Sequence, residues 1–484
     1  MMSRSLAGSF RFWPRLKPRA SNLKPLLLWL PLALWLVSLA PQRPVQSAEP
    51  PRRPNIVFLL ADDQRFDAFG AAGNTIVRTP AIDRLAAQGC RFANHFVTTS
   101  ICCVSRASML TGQYARRHGI NDFDQSLAAD AWSQTYPALL HAAGYRTGLV
   151  GHLGVGKETP PDMFDDCETF KAHGDYFEPG DSTHMTARIG SRAIEFIEAC
   201  APSKPFYLSV GFTAPHAHDG APREFPPDAR DEALYVDAVI PVPAGADDAT
   251  FRRLPDFVQR SEGRRRWQPR YSTGALFQQT VKDYYRLITG IDREVGRIVA
   301  ALAAKKLADD TIIVFSSDNG FFLGERGMAD KWLMYEPSIR VPLVVVDPRL
   351  PAENRNRKID TITLNIDLAP TLLDYAGVAA PAAMQGRSLR PLLAAAPGVG
   401  PPADWRSDFF YEHHTFPAIL PPSEGVRTDD WKYIRYVEPN PLVEELYDLA
   451  ADPAELHNLA LDPAHRPTLD RLRARWSELG QTVR

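Results

Sequence analysis

The sequence predicts an α/β fold: a large, mixed but mostly parallel sheet flanked by helices, with a smaller C-terminal α+β subdomain. Three observations lead there. Two continuous apolar runs, residues 55–60 (NIVFLL) and 311–315 (TIIVF), read as strands covered on both faces, as in a parallel sheet. An amphipathic stretch over 281–305 precedes the second run, so helix and strand alternate. Both runs end abruptly in acidic or amide residues, Asp62-Asp63 and Ser317-Asp318-Asn319-Gly320. Ligands of open α/β sheets gather beyond such carboxyl ends.

Taken in order, residues 1–48 carry seven basic side chains (Arg4, Arg11, Arg15, Lys17, Arg19, Lys24, Arg43) and no acid. They run into a fifteen-residue apolar stretch, 26–40, interrupted by Pro31, and then Ser47-Ala48. That length suits a secretory signal rather than a membrane span, so the segment is expected to direct export to the periplasm or beyond. No later run is long enough to keep the chain in a membrane once the signal is cut. Thr79-Pro80 opens a helix through Gln88, with Thr79 as N-cap, Pro80 in the first turn and Gly89 as stop. Residues 379–404, rich in Ala, Pro and Gly, mark a boundary. Past them lie a strand-like 425–437 and an amphipathic helix over about 467–479. The expected organisation is a signal over 1–48, a main domain over 53–395, and a C-terminal subdomain of small antiparallel sheet and helix over 396–484.

Composition bounds the function. A hydrophobic fraction of 45% and a charged fraction of 23% over 484 residues exclude disorder, collagen and a disulfide scaffold. The net charge of -2 argues against a general nucleic-acid binder. Taking the seven N-terminal basic residues from 55 leaves 48 against 57 acidic ones, more negative still. Forty-two prolines suggest rigid connections rather than a helical bundle. Five cysteines in an exported chain leave at least one thiol with another fate, and adjacent Cys102 and Cys103 rarely bridge each other.

Asp62, Asp63, Asp318 and Asn319 offer hard oxygen ligands from two strand ends, the way Ca²⁺ or Mg²⁺ is held. An Asp-Asp pair alone is more often a cap or turn than a ligand. A third element decides: Cys102-x-x-Ser105-Arg106 followed by Thr111-Gly112 resembles the signature of type I sulfatases, of the alkaline-phosphatase-like superfamily. The first cysteine of that signature is oxidised to formylglycine. Pro215-His216, Ser317-Asp318-Asn319-Gly320, Lys331-Trp332 with Met334-Tyr335-Glu336, and Ile339-Arg340-Val341-Pro342 follow in the family's order. Glu445-Leu446-Tyr447-Asp448-Leu449 and Glu455-Leu456-His457-Asn458 resemble its C-terminal stretch.

The resemblance implies a sulfatase with Cys102, Arg106, His152, His216 and Lys331 in catalysis. It implies Asp62, Asp63, modified Cys102, Asp318 and Asn319 around one cation, Ca²⁺ or alternatively Mg²⁺. It also implies a formylglycine-generating maturation enzyme as partner and a sulfated carbohydrate as substrate. Two departures stand out. Val104 occupies a position usually Pro or Ala, and Gly151-His152-Leu153-Gly154-Val155-Gly156-Lys157 replaces the family's Gly-Lys-x-His-Leu-Gly. His152 takes either the lysine's place or the histidine's; the first keeps the glycines in register. Lys157 either restores the missing charge or is a solvated surface lysine.

The chemistry explains the residue types. A sulfate ester is a stable monoanion, so catalysis needs its oxygens neutralised, a strong nucleophile and protonation of the leaving alcohol. Arg106 lies four positions after Cys102, on the same face of a helix whose N-terminus favours anions. Lys331 supplies charge, and His216, with an ordinary pKa of about 6.5, is the candidate acid.

Substrate identity is thinner. His413 and His414 sit in a segment that could read sugar hydroxyls, or form a turn. The Arg-rich residues 260–270 (RSEGRRRWQPR) could grip a polyanionic glycan or be a solvated loop. Adjacent Cys102-Cys103 resembles the N-acetylglucosamine-6-sulfatase-like members of the family. Two other functions share the framework: a phosphate or phosphonate ester hydrolase of the same superfamily, and a non-catalytic relative that binds sulfated glycans.

Overall fold

The apolar run at Asn55 forms a central strand, β1 (Asn55–Ala61), every residue of which is buried. Its side chains alternate between two cores: Val57 and Leu59 pack on one side of the sheet, Ile56, Phe58 and Leu60 on the other. That two-sided burial is why the run is continuously apolar. The computed structural model describes residues 52–157, 159, 163–170 and 175–484. The expected signal over 1–48 lies outside the described residues.

Eight strands make the main sheet, in the order β8 (Arg357–Ile359), β2 (Cys90–Phe92), β7 (Leu343–Val346), β6 (Thr311–Ser317), β1, β5 (Phe206–Gly211), β3 (Arg146–Gly151) and β4 (Asp166–Thr169). Only β7 runs against its neighbours; the other pairings are parallel. The expected large, mostly parallel sheet is therefore present. Helices cover both faces: α1 (Pro80–Gln88), α3 (Met185–Glu198) and α5 (Gly274–Ala304) on one, with α2 (Cys102–Thr111) contributing Ala107, Met109 and Leu110 to the other. Helix α5 buries Val281, Tyr284, Ile288, Ile291, Val295, Ile298 and Leu302, a three-and-four spacing that lays one stripe on the sheet. It begins seven residues before the amphipathic stretch read from the sequence.

A second, four-stranded antiparallel sheet lies C-terminally: β9 (Asp408–His413), β10 (Ser423–Thr428), β11 (Trp431–Tyr436) and β12 (Glu444–Asp448), in that order. Helix α6 (Arg466–Thr482) packs Leu469 and Leu472 against Val426, Tyr433 and Leu446. Phe409, Tyr411 and Ile434 join Phe96, Leu333, Met334 and Tyr335 in a shared core. Behind it Lys432, fully buried, sits between Glu336 (3.0 Å) and Glu455 (2.6 Å).

Three local readings change. Residues 425–437 form two strands of a hairpin, because Asp429-Asp430 turns the chain between β10 and β11. Thr79 stands at the N-cap position of α1, but its side chain does not cap the helix: its Oγ1 accepts from the Gly70 N–H at 2.8 Å and donates to Asp83 at 3.1 Å. Asp292 of α5 accepts from the Ala81 and Ile82 N–H groups instead, at 2.9 and 2.8 Å. The Arg-rich segment is helical, α4 (Glu262–Tyr271), not a loop. Among the described residues no helix is long and apolar enough to cross a membrane.

Candidate active site

Parallel pairing of β1 with β6 puts Ala61 opposite Ser317, so the two carboxyl ends present Asp62-Asp63 and Asp318-Asn319 side by side. All four side chains are fully buried. The Asp63 N–H donates to Asp318 Oδ1 (3.1 Å) and the Gln64 N–H to Ser317 Oγ (2.8 Å). Asp63 has a left-handed φ of 71°, an unfavourable setting for a non-glycine residue. The Tyr284 hydroxyl of α5 holds it there by donating to its carbonyl at 2.7 Å.

Helix α2 begins at Cys102 and carries Arg106 one turn on. Both reach Asp62: Cys102 Sγ lies 3.2 Å from Oδ1 and Arg106 Nη2 3.1 Å from Oδ2. Arg106 Nε donates to Asp318 Oδ2 at 2.7 Å and Nη1 to the His152 carbonyl at 2.6 Å. That last bond needs the chain after β3 to pass close by. Gly151 and Gly154 allow it with φ of 93° and 78°; a Cβ on Gly154 would strike Arg106. His152 Nε2 then stands 4.0 Å from Asp62 Oδ2.

Lys331 completes the pocket. Its Nζ donates to Asp63 Oδ1 and Oδ2 at 2.5 and 2.6 Å and lies 3.3 Å from Cys102 Sγ. His216 Nε2 is 3.6 Å from Asp63 Oδ2. Its Nδ1 is 2.7 Å from the Ala217 carbonyl, which can only accept, so Nδ1 carries a proton and Nε2 is the nitrogen that faces Asp63. Tyr176 fixes the same turn by donating to the His216 carbonyl at 2.5 Å. Every catalytic and metal-binding candidate named from the sequence thus lies in one cluster.

Burial dominates the electrostatics. It raises Asp62 well above the usual carboxylate range, with Asp318 adding to the rise and Arg106 opposing it. It pushes Asp63 up to about 7, against Lys331 and with Asp318. The Cys102 thiol is also raised, first by burial and then by Asp62. Burial works against the Lys331 charge, but Asp63, Cys102, Asp62 and Asp330 together outweigh it and raise the ammonium's pKa. A divalent cation fits this excess of carboxylates. Ligand atoms of Asp62, Asp63, Cys102 and His216 lie within 4.8 Å of one another. Asn319 Oδ1 is buried with no hydrogen-bond partner among the described residues, while its Nδ2 donates to Asp63. An all-oxygen set of Asp62, Asp63, Asp318 and Asn319 suits a hard ion.

Other candidates lie outside this cluster's hydrogen-bond network. Lys157 is exposed and pairs with Asp124 at 3.0 Å. His413, on β9, is buried, and burial holds its imidazole down at about 3. His414 Nε2 lies 3.2 Å from Glu424. Of the arginines in α4, Arg266 and Arg270 are tied into ion pairs with Asp219 and Asp330. Sequence reasoning missed Tyr284, Tyr176 and this arginine pair. Their only sequence signal is a place on the buried face of a helix or in a loop, common to many structural residues.

Comparison with known proteins agrees with this geometry. The sulfatase family profile matches residues 54–378, and that of the N-sulphoglucosamine sulphohydrolase C-terminal region matches 324–482. An N-acetylglucosamine-6-O-sulfatase of Bacteroides thetaiotaomicron is 32% identical, over 90% of this chain and 87% of that protein. A solved complex of a protein with its substrate D-glucosamine-2-N,6-O-disulfate superposes with a TM-score of 0.77 at 28% identity, covering 89% of this chain and 98% of that one. A phosphonate monoester hydrolase of Agrobacterium radiobacter shares the fold, with a TM-score of 0.70 at 23% identity over 89% of this chain and 96% of that one. With its family profile spanning most of the chain, and a carboxylate-lined pocket built around the cysteine of the family signature, this protein belongs to the sulfatase family of the alkaline-phosphatase-like superfamily and is a sulfuric ester hydrolase.

Proposed function

We propose that the protein removes sulfate from a sulfated aminosugar of the glucosamine type, using Cys102 converted to formylglycine and one divalent cation, Ca²⁺ with Mg²⁺ as alternative. The observation that carries this is Cys102 at the start of α2, within 3.3 Å of both Asp62 and Lys331, in a chain similar to a sulfatase named for N-acetylglucosamine 6-sulfate. The similar complex with glucosamine disulfate supports the sugar class.

Asp62, Asp63, Asp318 and Asn319, with an oxygen at the converted Cys102, would hold the cation, which supplies positive charge to the sulfate oxygens. Converted Cys102 would supply the nucleophile, as an aldehyde hydrate. The chain's own residues do the rest. Arg106, anchored on Asp62 and Asp318, keeps its position along α2 relative to Cys102. Lys331 neutralises the sulfate as charge builds on its oxygens. His216 delivers a proton from Nε2 to the departing sugar oxygen, its ring oriented by the Ala217 carbonyl. His152 lends a further polar group beside Asp62, in the place of the family lysine.

The rest of the reading goes with this activity: export to the periplasm or beyond through the segment 1–48, conversion of Cys102 by a maturation enzyme, and a division into 53–395 and 396–484. The deciding experiment compares turnover of glucosamine 6-sulfate and glucosamine 6-phosphate by enzyme with converted Cys102. Preference for the sulfate is expected. Preference for the phosphate would establish the phosphate-ester alternative, and tight binding of sulfated sugar without turnover would establish the non-catalytic one.

A further inference from the structure

Lys331 is flanked by two non-glycine residues in the left-handed region, Asp330 at φ 63° and Trp332 at φ 82°. Such a backbone persists only where its surroundings over-determine it. Asp330 is buried, and its two oxygens are taken by two arginines: Oδ1 accepts from Arg270 Nη1 and Oδ2 from Arg266 Nη1, both at 2.7 Å. The same arginines take both oxygens of Asp219: Arg270 Nη2 to Oδ1 at 2.8 Å and Arg266 Nη1 to Oδ2 at 2.7 Å. Arg266 and Arg270 stand one turn apart on α4, so they face the same way.

The result is a closed ring, Asp330–Arg270–Asp219–Arg266. Both Nε groups are committed as well. Arg270 Nε donates to Glu224 and Arg266 Nε to Glu262, and the Arg266 guanidinium lies 5.3 Å from the centre of the Trp332 ring. Glu224 accepts in turn from the Gly220 N–H at 2.9 Å. Asp219 and Gly220 belong to the loop that carries His216; Asp330 precedes Lys331. The ring therefore ties the loop of the proton donor to the loop of the sulfate-neutralising ammonium, from behind the pocket.

We infer that Arg266 and Arg270 are positioning residues for sulfate ester hydrolysis: by clamping Asp330 and Asp219 they hold Lys331 and His216 in place beside Asp63. The inference rests on the roles given above to Lys331 and His216. Neither arginine touches the cluster around Cys102; both act through the two aspartates. Exposed basic side chains gripping a glycan would be a different use of this helix, but Arg270 is buried and each of its guanidinium nitrogens donates to a carboxylate.

The test is a double-mutant cycle on the full chain with converted Cys102, using an aryl sulfate. Arg270→Met is expected to lower kcat/KM by about ten- to a hundredfold, mainly in kcat, because a small misplacement of a charge costs that much. In a Lys331→Ala background the same change should cost severalfold less, since only His216 is then left for the clamp to aim. Equal factors in both backgrounds overturn the positioning role, a merely structural arginine being indifferent to Lys331. If Arg270→Met fails to fold, Asp219→Asn, at a partly exposed member of the ring, is put through the same cycle with the same two readings. A Lys331→Ala enzyme as active as wild type would instead overturn the role assigned to Lys331 itself, and is distinguishable from additive losses.

Discussion

Cys102 and Cys103 are consecutive in sequence, yet their thiols meet different surroundings. Cys102 Sγ lies 3.2 Å from Asp62 Oδ1 and 3.3 Å from Lys331 Nζ. Cys103 packs among Ile101, Val104, Ala115, Trp332 and Leu420. Burial pushes the Cys103 thiol up to about 12, so it behaves as a small apolar side chain. Cys102→Ala is therefore expected to abolish sulfatase activity, while Cys103→Ala keeps at least about a third of it and loses only packing, on the order of 1 kcal/mol. Initial rates and thermal melts of the two variants check this; the reverse pattern would show that the nucleophile had been misplaced by one residue.

The carboxylates of Asp62 and Asp63 are raised by burial and by the charge of Asp318. A divalent cation among them relieves that repulsion, so binding should stabilise the folded chain by mass action. Millimolar Ca²⁺ is expected to raise the Tm of metal-stripped protein, and Asp318→Ala to lose most of the rise together with the bound ion. Elemental analysis and melting curves with and without chelator report it. An enzyme fully active after exhaustive chelation, with no metal found, would contradict the site.

His152 tests which alignment of the altered loop is right. With its Nε2 4.0 Å from Asp62, it stands where a lysine could supply the same charge. His152→Lys is expected to keep activity within about tenfold of wild type, and His152→Ala to lose about a hundredfold. A lysine variant as dead as the alanine one would give His152 the family histidine's role.

Asp330 gives a pH-dependent stability. Burial alone would raise its carboxyl, but Arg270, Arg266 and Lys331 together outweigh burial and hold it down at about 2. A folded value below the unfolded 3.8 means that stability is gained above about pH 4 and lost as pH falls through about 2. The contribution is on the order of 2 kcal/mol. Asp330→Asn should lower the Tm at neutral pH, and its gap to wild type should close between about pH 4 and pH 2. A gap constant over that range would show that the ion pairs contribute nothing.

The sheet was legible because β1 and β6 are buried on both faces and announce it with unbroken apolar runs, and the pocket because Asp62-Asp63 and Asp318-Asn319 terminate those same strands. Arg106 was placed correctly beside Cys102 because helical spacing is a local rule. What escaped is non-local. Thr79 looks like a cap, yet Asp292, some two hundred residues away, does the capping. Residues 260–270 look like a solvated basic loop because nothing nearby in sequence shows that Asp219 and Asp330 will neutralise Arg266 and Arg270. The C-terminal hairpin read as one strand because its turn is an Asp-Asp pair without glycine.

Everything proposed for the pocket turns on Cys102 as the site of the aldehyde nucleophile. Its most direct test is the mass of the peptide containing Cys102 and Cys103, taken from active, natively produced enzyme. A loss corresponding to conversion of one CH₂SH group to CHO is expected, with fragment ions placing the change at Cys102. Active enzyme that carries two unmodified thiols in that peptide would contradict it.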